Sequence, residues 1–217
     1  MRPLAILGGT FDPVHLGHLR ATWEAADVLD AEVRLIPASV PPHRPAPVAS
    51  ARQRAAILRA ALAGQDRLKL DTRELDRDGP SYTVDTLVSL REEIGARRPL
   101  VLLIGADAFA SLPTWHRWRE LFDLAHVGVL TRPGHVPPLP EELSEAIASR
   151  EVKYAHILRE QPAGHVFRIT ITPLEIAATR IRQLLRLGGE PRWLLPDALL
   201  ADPELLAPYR AQQEPPS

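Results

Sequence analysis

No cysteine occurs in the 217-residue chain, which excludes disulfides, thiolate nucleophiles and cysteine-ligated zinc together. Lysine is almost as scarce: Lys69 and Lys153 are the only two among 26 basic residues. Where a phosphate needs a cation, arginine must supply it, through a planar fork that grips two oxygens and stays charged at any working pH. Neither sign of charge is in excess, and a formal net charge of -1 argues against a broad nucleic-acid-binding face. Apolar runs are short, and none approaches the ~18 residues that cross a bilayer. The segment Met1-Arg2-Pro3 passes straight into a strand-like run with no cleavage site, so no signal peptide is expected, and a cytoplasmic location is the expectation.

What is present points to a folded chain. Hydrophobic residues make up 45% and charged residues 24%, enough to bury a core and too apolar for long disorder. Proline, at 22 residues, is about twice its usual share of ~5%.

Leu4 to Gly9 is an apolar run ended by glycines, which reads as a buried strand entering a turn. Leu19, Trp23 and Ala26 recur at helical spacing, so a helix runs from Leu16 to about Leu29. Val33 to Pro37 is a second strand, followed by a proline-rich loop to Pro47. Ser50 then caps a helix with the stripe Ile57, Leu58, Ala61 and Leu62. Leu68 to Leu75 is read as a strand, Asp78-Gly79-Pro80 as a turn, and Thr83 as the cap of a helix carrying Val84, Leu87, Val88 and Ile94. Leu100 to Ile104 is continuously apolar, as in a central parallel strand. Val127 to Leu130 and Val166 to Ile171 are further strands, with Pro133 to Gln161 a loop or excursion between them. Helices near Thr179 to Leu187 and Ala198 to Leu206 close the chain.

This alternation predicts an α/β fold, a doubly wound, Rossmann-like parallel sheet with helices on both faces. It forms one domain over residues 1–211, with a small C-terminal helical part from about 177 and a frayed tail at 212–217. Such sheets bind ligands beyond the carboxyl ends of their strands, which directs attention to Gly8–His18, Pro37–Arg44, Gly105–Trp118 and Pro173–Arg182.

The densest of these is Gly8-Gly9-Thr10-Phe11-Asp12-Pro13-Val14-His15-Leu16-Gly17-His18. It follows a strand and opens a helix, where free N–H groups and the helix dipole attract an anion. His15 and His18 are three apart and share the first helical turn, so two imidazoles can donate to phosphate oxygens as charge grows on them. A metal reading would require a third ligand, and none stands nearby in sequence. Neither the G-x-G-x-x-G fingerprint nor the P-loop lysine is present, which disfavours a dehydrogenase or a kinase.

The G-G-T-F-D-P turn followed by H-x-G-H resembles the signature of the nucleotidyltransferase superfamily. Four further segments resemble, in order, those of the bacterial nicotinate-nucleotide adenylyltransferase family. They are Pro41-Pro42-His43-Arg44, Ser81-Tyr82-Thr83-Val84-Asp85-Thr86-Leu87, Gly105-Ala106-Asp107 with Leu112 and Trp115, and Pro173 to Arg182 ending Thr179-Arg180-Ile181-Arg182. The resemblance implies an enzyme that moves AMP from ATP to nicotinate mononucleotide, releasing pyrophosphate by direct attack without a covalent intermediate. It implies Mg²⁺ carried on the ATP phosphates, with no metal ligand from protein side chains. His15, His18 and Arg182 are then the catalytic candidates. Gly8, Gly9, Thr10, Phe11, Gly105, Asp107 and Thr179 join them around ATP. His43, Arg44, Tyr82, Thr83, Asp85, Thr86 and Trp115 fall to the acceptor, where an indole face can stack on a pyridine ring.

The chain departs from the family pattern at Ala177 and Ala178, which stand where it has serines, and at Arg44 and Val14, which stand for a lysine and a proline. The competing readings are a sibling enzyme with another acceptor (nicotinamide mononucleotide or phosphopantetheine) and a nucleotide-binding regulator without catalysis. Asp85 also fits a helix first turn and Trp115 a core position. His116, His126, His135, His156 and His165 are read as surface or core residues. The expected partners are ATP and nicotinate mononucleotide, with no nucleic acid and no membrane, and a homo-oligomer is compatible with the sequence.

Overall fold

A computed structural model describes residues 1–40, 46–77, 79–134 and 136–210. The elements, in chain order, are β1 (Leu4–Gly9), α1 (Leu16–Leu29), β2 (Glu32–Pro37), α2 (Ala51–Ala61), β3 (Leu68–Leu70), α3 (Thr83–Ile94), β4 (Leu100–Gly105), α4 (Ala106–Ala110), α5 (Leu121–Leu124), β5 (His126–Thr131), α6 (Glu141–Ile147), β6 (Glu151–Val152), β7 (Val166–Thr170), α7 (Ala178–Arg186) and α8 (Asp197–Leu200). Short 3-10 turns include Leu112–Thr114 and the C-terminal Pro203–Tyr209.

The seven strands form one sheet in the order β3-β2-β1-β4-β5-β7-β6, and every pairing is parallel. The chain winds outward from β1 to β3, returns to lay β4 beside β1, and winds outward to β5, after which β6 takes the edge and β7 fills the place between them. The loops after β1 and β4 therefore diverge and leave a crevice between them. The two edges each carry one of the chain's lysines: Lys69 lies on β3 and Lys153 directly follows β6.

Side-chain alternation along the strands divides the core in two. Ala5, Val33, Leu35, Val101 and Leu103 face a layer built from Ala25 of α1, Leu58 of α2, Ile181 of α7, Leu199 of α8 and Tyr209. Leu4, Ile6, Leu100, Leu102 and Ile104 face Leu87 of α3, Phe109 of α4, Leu121 of α5 and Leu143 of α6. Each fully buried Leu or Ile contributes roughly 1.5–3 kcal/mol. Gly128 on β5 is fixed by this packing, since a Cβ there would lie 2.8 Å from Leu103 Cδ2.

Several boundaries differ from the sequence reading. Strand β3 ends at Leu70 and not Leu75, because the Asp71 carboxylate accepts from the Arg73 N–H at 3.1 Å and Leu75 N–H closes a turn on Thr72 O, a local bonding pattern that competes with the sheet. Thr83 is the first residue of α3, and Tyr82 occupies the cap position without a side-chain bond. Ser50 does cap α2, in a reciprocal box with Gln53. The 133–161 excursion holds α6 and the edge strand β6. The closing helix expected to reach Leu206 stops at Leu200, and after Asp202 the chain resumes as a 3-10 turn led by Pro203. The tail expected at 212–217 lies outside the described residues.

Candidate active site

A cleft of about 1020 Å³ opens at the carboxyl ends of β1 and β4. Its floor is the first motif. His15 takes an extended conformation at the N-cap of α1 and His18 lies one turn on, its N–H bonded to His15 O at 3.0 Å. The two imidazoles stack at 3.7 Å between centroids. Gly17 makes this possible: a Cβ there would sit 3.0 Å from His15 Nδ1, so the ring lies over bare backbone. Nδ1 of His15 is buried without a hydrogen-bond partner among the described residues, so packing alone sets the ring's orientation. Burial also pushes the His15 pKa down from 6.5 to about 4, leaving the ring neutral near pH 7. Phe11, at a positive φ of 49°, places its ring over Gly9 and edge-on to His18 at 5.2 Å.

One wall joins this turn to α7. Arg182 donates from Nη1 to Asp12 O at 2.6 Å and from Nη2 to Thr179 Oγ1 at 3.3 Å. Its Nη1 also lies 3.7 Å from Asp12 Oδ2. The Asp12 carboxylate accepts from the N–H groups of Val48 and Ala49 at 2.8 and 3.0 Å and from the Tyr209 hydroxyl at 2.9 Å. No side chain caps α7, which begins after Ala177, so its first-turn N–H groups and dipole are available to an anion through backbone alone. Beneath this wall Arg54, 1% exposed, donates to Thr10 O, Ser39 O and Ala49 O at 2.8, 3.3 and 3.2 Å. One guanidinium thus fixes the loops after β1 and β2 and the start of α2.

The opposite wall is built on the turn after β3 and the start of α3. Glu74 is buried, and burial raises its pKa above the ordinary carboxylate value. The Thr86 hydroxyl donates to it at 2.7 Å and Ser81 is a second partner. Ser81 Oγ accepts from Ser39 N–H at 3.0 Å, which ties this wall to the loop after β2. Tyr82 and His116 bring their rings to 4.4 Å, with Trp115 half-buried beside them in the lining.

The cleft gathers Gly8, Gly9, Thr10, Phe11, His15, His18, Gly105, Asp107, Thr179 and Arg182, the residues expected around ATP, and Tyr82, Thr83, Thr86 and Trp115, expected around the acceptor. His43 and Arg44 lie outside the described residues. Asp85 is not in the lining and instead lies 3.9 Å from Arg117 on the surface, because successive residues of the helix turn away from one another while Thr86 takes the inner face.

Arg132 and Glu74 line the cleft without having been singled out by sequence, Asp12 had drawn attention only as part of the first motif, and His116, read as surface or core, is exposed and lines the cleft too. Arg132 follows β5, and the strand-end rule that drew attention to four loops applies equally to that fifth one. Glu74 was hidden inside the segment read as a strand to Leu75. His126, read as structural, is buried at the start of β5. Its Nδ1 accepts from His165 N–H at 3.0 Å, so Nε2 carries the proton that meets Gln161 O at 2.9 Å.

The parallel sheet, the switch between β1 and β4 and the paired histidines define an α/β nucleotidyltransferase-type protein, and residues 6–184 match the family model described as cytidylyltransferase-like. The chain is 47% identical to the "probable nicotinate-nucleotide adenylyltransferase" of Pseudomonas syringae over 97% of its own length and 95% of that protein. It is 50% identical to the protein of the same name from Methylococcus capsulatus, over 91% and 94%. The chain therefore belongs to the nicotinate-nucleotide adenylyltransferase family. The fold matches the nicotinic acid mononucleotide adenylyltransferase of Plasmodium falciparum complexed with NaAD, with a TM-score of 0.66 at 13% identity over 93% of this chain and 96% of that one.

Proposed function

We propose that this protein transfers the AMP moiety of ATP to nicotinate mononucleotide, forming nicotinate adenine dinucleotide and pyrophosphate, a step of NAD biosynthesis. The observation that carries the reading is the stacked His15–His18 pair, held at the floor of the same cleft that Arg182 and the uncapped start of α7 line.

The acceptor's phosphate oxygen attacks the α-phosphorus of ATP, a new P–O bond forms, and the bond from the α-phosphorus to the bridging oxygen breaks with its electron pair leaving on pyrophosphate. No protein nucleophile or proton transfer is required of the chain. Its contribution is alignment and compensation of charge. His15 and His18 donate to the reacting phosphate oxygens; His15, neutral when the cleft is free, offers one N–H without needing to be protonated first. Arg182 and the N–H groups opening α7 take the departing β- and γ-phosphates, with Thr179 orienting the guanidinium. Backbone donors in this role account for how Ala177 and Ala178 can replace serines. Gly105 and Asp107 lie on the adenosine side. Tyr82, Thr83, Thr86 and Trp115 receive the pyridine nucleotide, and the uncapped first turn of α3 favours an anionic ring substituent. Asp85, the carboxylate that would oppose it, is paired with Arg117.

Among the described residues no three His, Asp or Glu side chains converge as a metal site, and the Asp12 carboxylate already accepts three hydrogen bonds. Mg²⁺ would enter on the triphosphate, where its charge would offset that of the leaving pyrophosphate. The cytoplasm is the compartment we assign; no described helix is long and apolar enough to cross a membrane.

The test is pyrophosphate release from ATP and Mg²⁺ with each acceptor in turn. Turnover with nicotinate mononucleotide is expected; turnover confined to nicotinamide mononucleotide or phosphopantetheine would overturn the substrate assignment. His18→Ala is expected to cut turnover by about 100-fold or more, the scale of losing one oriented donor, with modest change in ATP affinity.

A further inference from the structure

The Asp12 carboxylate is nearly saturated. An ionised carboxylate offers about four acceptor positions. Oδ1 takes the Tyr209 hydroxyl and Ala49 N–H, at 2.9 and 3.0 Å. Oδ2 takes Val48 N–H at 2.8 Å, which leaves one position, and that one has Arg182 Nη1 at 3.7 Å. Arg182 instead makes its short bond to the backbone oxygen of Asp12, at 2.6 Å. The guanidinium is therefore held beside the carboxylate without collapsing onto it as a bidentate pair, and its remaining donors stay in the cleft.

Tyr209 lies far from the motifs, at the end of the C-terminal 3-10 turn. It is 2% exposed, and burial together with the charge of Asp12 pushes its phenol well above the ordinary value, so the hydroxyl is a donor at every working pH.

We infer that Tyr209 is a positioning residue for the triphosphate: by occupying Asp12 Oδ1 it fixes the carboxylate's rotation, and so keeps Arg182 set toward the β- and γ-phosphates. Without the hydroxyl, Oδ1 has an unmet acceptor position in a buried setting and the carboxylate is free to rotate. Arg54 is committed to three carbonyls, so the cation drawn onto the carboxylate is Arg182, whose Nη1 already stands 3.7 Å from Oδ2, and it would turn away from the nucleotide. The C-terminal segment thereby belongs to the ATP site although it reaches no substrate. This inference rests on the proposed placement of the triphosphate at Arg182.

The experiment compares Tyr209→Phe, Leu206→Ala, Arg182→Ala and the double variant Tyr209→Phe with Arg182→Ala in steady-state kinetics and thermal melts. Tyr209→Phe keeps the ring and its packing. Its KM for ATP is expected to rise about five-fold, the order of one ordinary hydrogen bond, and kcat to fall by a similar factor because Arg182 also faces the departing pyrophosphate, while the acceptor KM stays within about two-fold. Leu206, buried in the same turn, is the packing control: Leu206→Ala lowers the melting temperature and leaves the ATP KM unchanged. In the Arg182→Ala background the Tyr209→Phe effect on ATP KM should vanish. An unchanged ATP KM for Tyr209→Phe, or the same rise with and without Arg182, overturns the inference. Should Arg182→Ala itself leave ATP KM and kcat untouched, the triphosphate placement fails instead. Were Tyr209→Phe too unstable to assay, Asp12→Asn carries the test. Its amide cannot accept at every carboxylate position, so a several-fold rise in ATP KM is expected, and an unchanged value refutes the chain of positioning.

Discussion

Gly17→Ala separates the fold's interest from the reaction's. Residue 17 is the second residue of α1, where alanine is favoured over glycine by ~0.5–1 kcal/mol. The new Cβ would stand 3.0 Å from His15 Nδ1, 3.1 Å from its Cε1 and 3.5 Å from Ile176 Cβ. The last is ordinary contact, so the strain falls on the imidazole. Among the described residues that ring has no hydrogen bond at Nδ1 to resist movement, and His18 is stacked on it at 3.7 Å, so it retreats by a few tenths of an ångström in company with its neighbour. Overpacking of this size costs about 1 kcal/mol, which the helix gain roughly offsets. Catalysis has no such offset: if a 1 Å misplacement costs ~100-fold, a few tenths cost about three- to ten-fold in kcat. Pyrophosphate-release kinetics with a parallel urea titration would check both halves. A variant with wild-type kcat would show that the ring's position over residue 17 is irrelevant to the chemistry, and the proposed role of His15 would fall with it.

Arg54→Met should lower stability by about 3 kcal/mol or more, because three carbonyls lose a charged donor at once; a change in urea midpoint equivalent to under ~1 kcal/mol would refute the clamp. Acid should unfold the protein early. The pKa values of His15 and His126 are lowered by burial from 6.5 to about 4, so the stability each provides is complete above 6.5 and is lost as pH falls through about 4. The total is on the order of 3 kcal/mol per ring, and a pH–stability profile flat from 7 to about 4.5 would contradict it. Gly128→Ala should cost roughly 1–3 kcal/mol by forcing Leu103 and Val101 aside, read as a lower melting temperature with unchanged KM values. Asp85→Asn should leave the acceptor KM within about two-fold, since the exposed pair with Arg117 is weak; a larger rise would put Asp85 back in the pocket.

The strands and helices that bury apolar faces could be read directly. The unbroken apolar run Leu100 to Ile104 and the stripe of α1 are local patterns, and β1, α1, β2, α2 and β4 fall where those patterns put them. The first motif was legible for the same reason, since a glycine turn, an extended N-cap and a histidine one turn later are all local. What sequence did not expose depends on bonds between distant segments. Nothing near Asp12 reveals that Val48, Ala49, Arg182 and Tyr209 converge on it. Glu74 was concealed because Leu68 to Leu75 has the composition of a strand, and only the competing bond from Arg73 N–H to Asp71 turns the chain and delivers that carboxyl to the cleft. Asp85 shows the opposite case. Its place in a motif suggested a ligand contact, yet a rotation of one helical position separates it from Thr86, which does line the cleft.

The scarcity of lysine acquires a practical meaning once the sheet is known. Lys69 and Lys153 stand at its two margins, β3 and just past β6, while the nucleotide cleft opens over the middle and contains neither. A lone ammonium on an edge strand discourages a second sheet from pairing there. It also means that reagents directed at lysine side chains attach to the rim of the molecule, so a dye, a surface or an acetyl group can be coupled through lysine with the arginine-lined cleft still intact.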